Sequence, residues 1–187
     1  MTVDPKEAAA SLSDIGSVEQ RTREALVYER SSDMLILWGV LVACGYVFTY
    51  AEPRYSNIAW LVLTAAGVGG GLLIRRWREE ARRGHPTLGQ RLFYAQLALI
   101  AYGFVLMVLL WPVISYRQIG AFWPTLVMFG HVLAGLWLGR FFIYLGITVT
   151  ALIVAGYFWS GVWYPLWLAA VVGGGLIAAG LWLRRLG

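Results

Sequence analysis

Few residues in this chain could do chemistry. His131 is the one ionisable side chain set deep in an apolar run, near the middle of residues 120–139. Met128 precedes it by three positions, so the two share a helix face, as a haem or copper ligand pair would. No second deep histidine accompanies them, and the only cysteine, Cys44, stands alone in another apolar run, so no metal or cofactor is expected. Asp33 and Glu52 lie at the two ends of the first apolar run, and no carboxylate lies inside any of them. Ionisable groups within a membrane are functional candidates by default. His131 and the amide of Gln96 are therefore the candidate polar positions. His131 could line a transport path, relay a proton, or sit as a neutral ring bonded to Gln96, Tyr102 or a backbone carbonyl. The absent carboxylates argue against proton- or sodium-coupled transport. No Ser/His/Asp, Cys/His or paired-carboxylate set can be assembled, so no catalytic residue is expected. Gly69-Gly70-Gly71 and Gly173-Gly174-Gly175 lack the Lys-Ser/Thr ending of a phosphate loop.

The elements that hold these residues are membrane spans. Of the 187 residues 59% are hydrophobic and 13% charged, too apolar for a soluble fold to bury. A spanning helix needs about 20 mostly apolar residues. The chain supplies six such stretches, at about 33–51, 57–76, 92–111, 120–139, 141–160 and 163–183. The expectation is an all-α polytopic membrane protein: a polar tail, 1–32, then a six-helix transmembrane domain, 33–187. The polar start shows no cleavable leader. Thirteen of the 15 Lys/Arg fall in the tail, the 75–91 segment, Arg140 and the C-terminus, leaving Arg54 and Arg117 on the other side. By the positive-inside rule both termini are cytoplasmic. Trp60, Trp111, Trp123, Trp159 and Trp163 mark the outer ends of the spans, and Trp77 and Trp182 the inner ends.

The second, fourth and sixth spans read alike, each opening on aromatic groups and closing on Arg after Gly-rich turns. This layout predicts three parallel in–out–in hairpins related by an axis along the membrane normal. Gly67 and Gly71, Gly135 and Gly139, and Ala169 and Gly173 have the four-residue spacing of close-packed membrane helices. All lie in even-numbered spans, so the even helices are expected at the centre, or their Gly faces at a homodimer interface.

Residues 1–31 carry six acidic and four basic side chains, with a short amphipathic helix expected at about 17–31. That segment could lie on the bilayer, dock on the protein or bind a protein partner. Arg75, Arg76, Arg78, Arg82 and Arg83 form a basic cluster suited to anionic lipid headgroups or to the acidic tail. Arginines beside apolar runs do not make a nucleic-acid surface. Phe122-Trp123-Pro124, opening a span within a three-hairpin plan, resembles the HdeD-like acid-resistance membrane proteins. The resemblance implies an inner-membrane location and brings no catalytic residues, and the acidic tail departs from it. Two functions follow as expectations. One is a non-enzymatic inner-membrane component acting through a partner or through self-association, in stress response or as an assembly subunit. The other is a small transporter or channel with His131 lining its path.

Overall fold

The computed structural model describes residues 31–80, 88–110, 113 and 115–186, and all of its regular structure is helical. Helix α1 (Ser31–Ala51) is followed by α2 (Ser56–Glu80), α3 (Leu88–Leu110), α4 (Tyr116–Leu138) and α5 (Arg140–Trp159). The last rod is composite. α6 (Tyr164–Leu168) passes through a π-helical segment (Ala169–Gly174) into α7 (Gly175–Leu186). Five stretches are long and apolar enough to cross a membrane: Ser31–Ala51, Pro53–Ile74, Tyr116–Leu138, Arg140–Trp159 and Gly161–Arg185. Within α3 the described apolar stretch is the shorter Tyr94–Leu110. Residues 1–30 and 81–87, including the expected tail helix, Arg82 and Arg83, lie outside the described residues, as do the side chains of Arg75 and Arg78.

The turns follow from local chemistry. α1 gives way to a 3-10 turn (Pro53–Tyr55) whose first residue lacks an N–H to continue a helix, and Ser56 Oγ donates to the Pro53 carbonyl at 2.8 Å. α4 begins four residues before the expected start because Ser115 and Gln118 form a capping box, each side chain accepting from the other's backbone N–H. α4 ends at Gly139, whose φ of 126° is a conformation that favours glycine. Gly139, expected as a packing residue, is thus the turn that lets α5 start at Arg140. Its N–H closes α4 on the Gly135 carbonyl at 3.1 Å.

Successive rods run in alternate directions, which the pairings between helices fix. Gly135 meets Ile143 and Gly146 meets the Met128 carbonyl across the α4–α5 hairpin. Gly103 faces Trp123 and Leu126, and Gln96 lies on Gly130, along the α3–α4 seam. α1 and the last rod form another close seam: Gly173 lies against Ala43, Gly39 against Ile177, and Gly180 against Ser32 and Ile36. At the end of the bundle that holds both described termini, Ser32 Oγ donates to the Gly180 carbonyl at 2.9 Å and Arg184 pairs with Asp33 at 2.7 Å.

These contacts change the expected arrangement of even and odd helices. Gly67 and Gly71 face Trp38 and Met34 of α1 in the same chain. Yet only 6% of the Pro53–Ile74 stretch is buried, against 44% of Gly161–Arg185. The last rod is central and α2 is peripheral. The core is built of Met128, Ile153, Leu168, Val172, Leu176 and Leu183, with Met128 fully enclosed. α2 and α3 expose Leu61, Leu72, Tyr102, Val108 and Leu109, side chains that lipid tails would solvate.

Candidate functional site

The two polar residues singled out from the sequence occupy neighbouring places on the α3–α4 seam. Gln96 rests on the bare backbone of Gly130, where any Cβ would collide with its amide. His131 follows in the chain, and its Nδ1 is 2.9 Å from the carbonyl of Val127, one turn earlier on its own helix. The ring is tilted against Phe142 with centroids 6.5 Å apart. A backbone carbonyl is thus one partner of the ring. Tyr102 is exposed on the outer side of α3. Met128, the other half of the suggested ligand pair, is fully buried in the core. Among the described residues no group of three His, Cys, Asp or Glu could hold a metal ion.

A second cluster lies at the opposite end of the bundle from the termini, where α1 and α5 finish and α4 and α6 begin. It rests on a consequence of Pro124, which is buried inside α4. Proline has no N–H to give the carbonyl four residues back, so the Gly120 carbonyl loses its ordinary helical partner. Tyr46 of α1 supplies the missing donor: its hydroxyl reaches the Gly120 oxygen at 2.9 Å. The ring of Tyr46 meets Trp60 edge-on at 4.9 Å, and Trp60 donates through its indole N–H to Thr49 at 3.1 Å. Pro124 thus ties α4 to α1, and through Tyr46 to α2.

Beside this tie stands Arg117, in the first turn of α4. Its guanidinium carbon lies 5.1 Å from the Tyr157 ring centre and 5.2 Å from that of Tyr164, within cation–π range of both. Arg117 Nη2 donates to the Tyr157 carbonyl near the end of α5. The two tyrosines meet edge-to-face at 5.8 Å. Arg117 Nε and the Tyr164 hydroxyl are buried with no hydrogen-bond partner. Nη1 makes no hydrogen bond either and, unlike Nε, is not enclosed. Among the described residues no carboxylate pairs with Arg117.

Nothing in the sequence sets Arg117 beside Tyr157 and Tyr164, which lie 40 and 47 positions further on. The available signal was the charge asymmetry itself, which left only Arg54 and Arg117 on the side poor in cations. The π-helical segment was also illegible. There the N–H of Gly175 is shared between the carbonyls of Val171 and Val172 as the α-helical register resumes. One turn earlier, Trp167 lies on Gly156 and donates to the Leu152 carbonyl at 2.9 Å. Comparison of the chain with protein-family models, with curated proteins and with solved structures gave no match, so the reading of its function rests on these residues alone.

Proposed function

We propose that this chain is a non-catalytic inner-membrane component that acts by association, with a protein partner or with further copies of itself. In this reading six spans cross the bilayer as three hairpins with both termini in the cytoplasm. The alternating rods and the shared end of residues 31 and 186 support it, as does the gathering of Lys/Arg on the segments at that end. The observation that carries the reading is the closely packed apolar centre. Met128, Ile153, Leu168 and Leu183 fill it, glycines bring the helices to backbone contact, and the buried hydroxyls Ser32 and Ser56 are spent on backbone carbonyls. A conduit needs polar groups facing a path, and His131 is instead held by its own helix.

A stress-response component and an assembly subunit both fit such a body, and the acidic 1–31 segment and the Arg75–Arg83 cluster are the surfaces assigned to partner and headgroup contacts. The test is affinity purification in mild detergent of the full chain and of a chain lacking residues 1–30. A stoichiometric companion retained by the first and lost by the second is expected. Unchanged recovery of the same companion would remove the tail from the proposal, and a full chain that purifies as a companion-free monomer would remove association altogether.

A further inference from the structure

We infer that Arg117, between Tyr157 and Tyr164, holds the phosphate of a lipid headgroup at the end of the bundle away from the termini. A guanidinium partly withdrawn from water has lost hydration, and charges in that setting are ordinarily paired. Arg117 has no carboxylate partner among the described residues, and aromatic faces and one backbone carbonyl only partly offset its charge. Buried donors without partners in a folded protein call for a missing group. Here two occur in one cluster, Arg117 Nε and the Tyr164 hydroxyl, and Tyr164 is only 3% exposed. The unbonded, accessible Nη1 gives an anion its point of approach, and guanidinium N–H groups match phosphoryl oxygens in geometry.

The depth of the cluster selects a headgroup as the source of that phosphate. Trp159, 87% exposed, and the exposed Tyr116 and Trp163 stand at the same end, and Trp and Tyr collect at the headgroup level of a bilayer. The cluster is also built to stay in place. Arg117 is gripped by α5 and α6, and one turn below it the Tyr46–Gly120 bond fixes α4 against α1. A solvated arginine on a loop would lack both constraints.

The test is native mass spectrometry of the full-length protein in mild detergent, titrated with phosphatidylglycerol or with monogalactosyldiacylglycerol, which has a similar tail and no phosphate. One retained phosphatidylglycerol per chain is expected, with retention of the galactolipid at least about tenfold weaker, the scale of a charge-assisted hydrogen-bond pair. Arg117→Gln should lose that selectivity and Arg117→Lys should keep part of it. The comparison of the two lipids on the unmodified protein stands even if a variant fails to fold. Equal retention of both lipids, or selectivity unchanged in a folded Arg117→Gln, would overturn the inference. Displacement of phosphatidylglycerol by millimolar inorganic phosphate would overturn the headgroup as the source. Retention of neither lipid would leave water as the group that satisfies the cluster, and the inference would fall.

Discussion

The bond between Tyr46 and the Gly120 carbonyl should be worth more than an ordinary interhelical hydrogen bond, and the reason is Pro124. Hydrogen bonds between membrane helices average about 0.6 kcal/mol, because the separated helices find other partners. The Gly120 carbonyl is different: proline at position 124 denies it the usual N–H, so it depends on the Tyr46 hydroxyl at 2.9 Å. Stranding a backbone acceptor costs about 1–3 kcal/mol when it is buried, and the part-buried Gly120 carbonyl falls toward the lower end. Tyr46→Phe in the natural chain should therefore destabilise by about 1.5 kcal/mol. In a Pro124→Ala background the new N–H of residue 124 reaches Gly120, and the same change should cost about 0.5 kcal/mol. The double-mutant cycle then yields a coupling of about 1 kcal/mol. Reversible unfolding of the four proteins in mixed micelles measures it, whichever direction Pro124→Ala moves stability by itself. Costs of Tyr46→Phe that agree within about 0.3 kcal/mol in the two backgrounds would refute the reasoning.

The glycines separate sharply by what surrounds them. Gly173→Val should destabilise by several kcal/mol or displace α1, because even a Cβ there would lie 2.6 Å from the Ala43 Cβ and 2.9 Å from its backbone. Gly69→Ala should be neutral or stabilise by up to about 1 kcal/mol, since that position has open space and alanine favours helix; thermal unfolding in detergent ranks the pair, and the reverse order would contradict the seam between α1 and the last rod. Gly139→Ala should cost about 1–3 kcal/mol through its φ of 126°, read by the same assay. Arg184→Gln should change stability by less than about 1 kcal/mol, because the Arg184 side chain is 55% exposed and its pairing with Asp33 is screened.

The contrast among these positions also marks what a sequence can disclose. Length and apolarity of the runs follow from one requirement, that lipid-facing backbone be satisfied within a helix, so the helical rods were legible almost to their ends. Gly67 and Gly71 were legible as contact residues by spacing, but spacing does not say which helix they meet or how central it is. Gly39 and Ala43 share the same four-residue spacing and Gly180 closes an Ala-Ala-Gly run, but only the partner helix makes them a seam. The Phe122-Trp123-Pro124 run drew attention as a likeness. Its physical meaning, a freed carbonyl taken by a tyrosine 74 positions away, needs the packing of α1 on α4. The Arg117 cluster joins the start of α4 to two tyrosines 40 and 47 positions further on, and no local pattern encodes such a meeting. The turn at Ser115 was the exception: its capping box with Gln118 is written in the sequence, and the apolar run alone obscured it.

The account rests most heavily on a bundle centre closed to water, and site-directed cysteine accessibility tests that directly. In a Cys44→Ala chain in sealed vesicles, Met128→Cys, His131→Cys and Ile153→Cys would each be exposed to a charged, membrane-impermeant thiol reagent, with the exposed Ser115→Cys as the reactive control. The account predicts rapid modification at position 115 and none at positions 128, 131 and 153 from either side. Modification of His131→Cys together with Met128→Cys or Ile153→Cys would reveal a water-filled path through the core and contradict it.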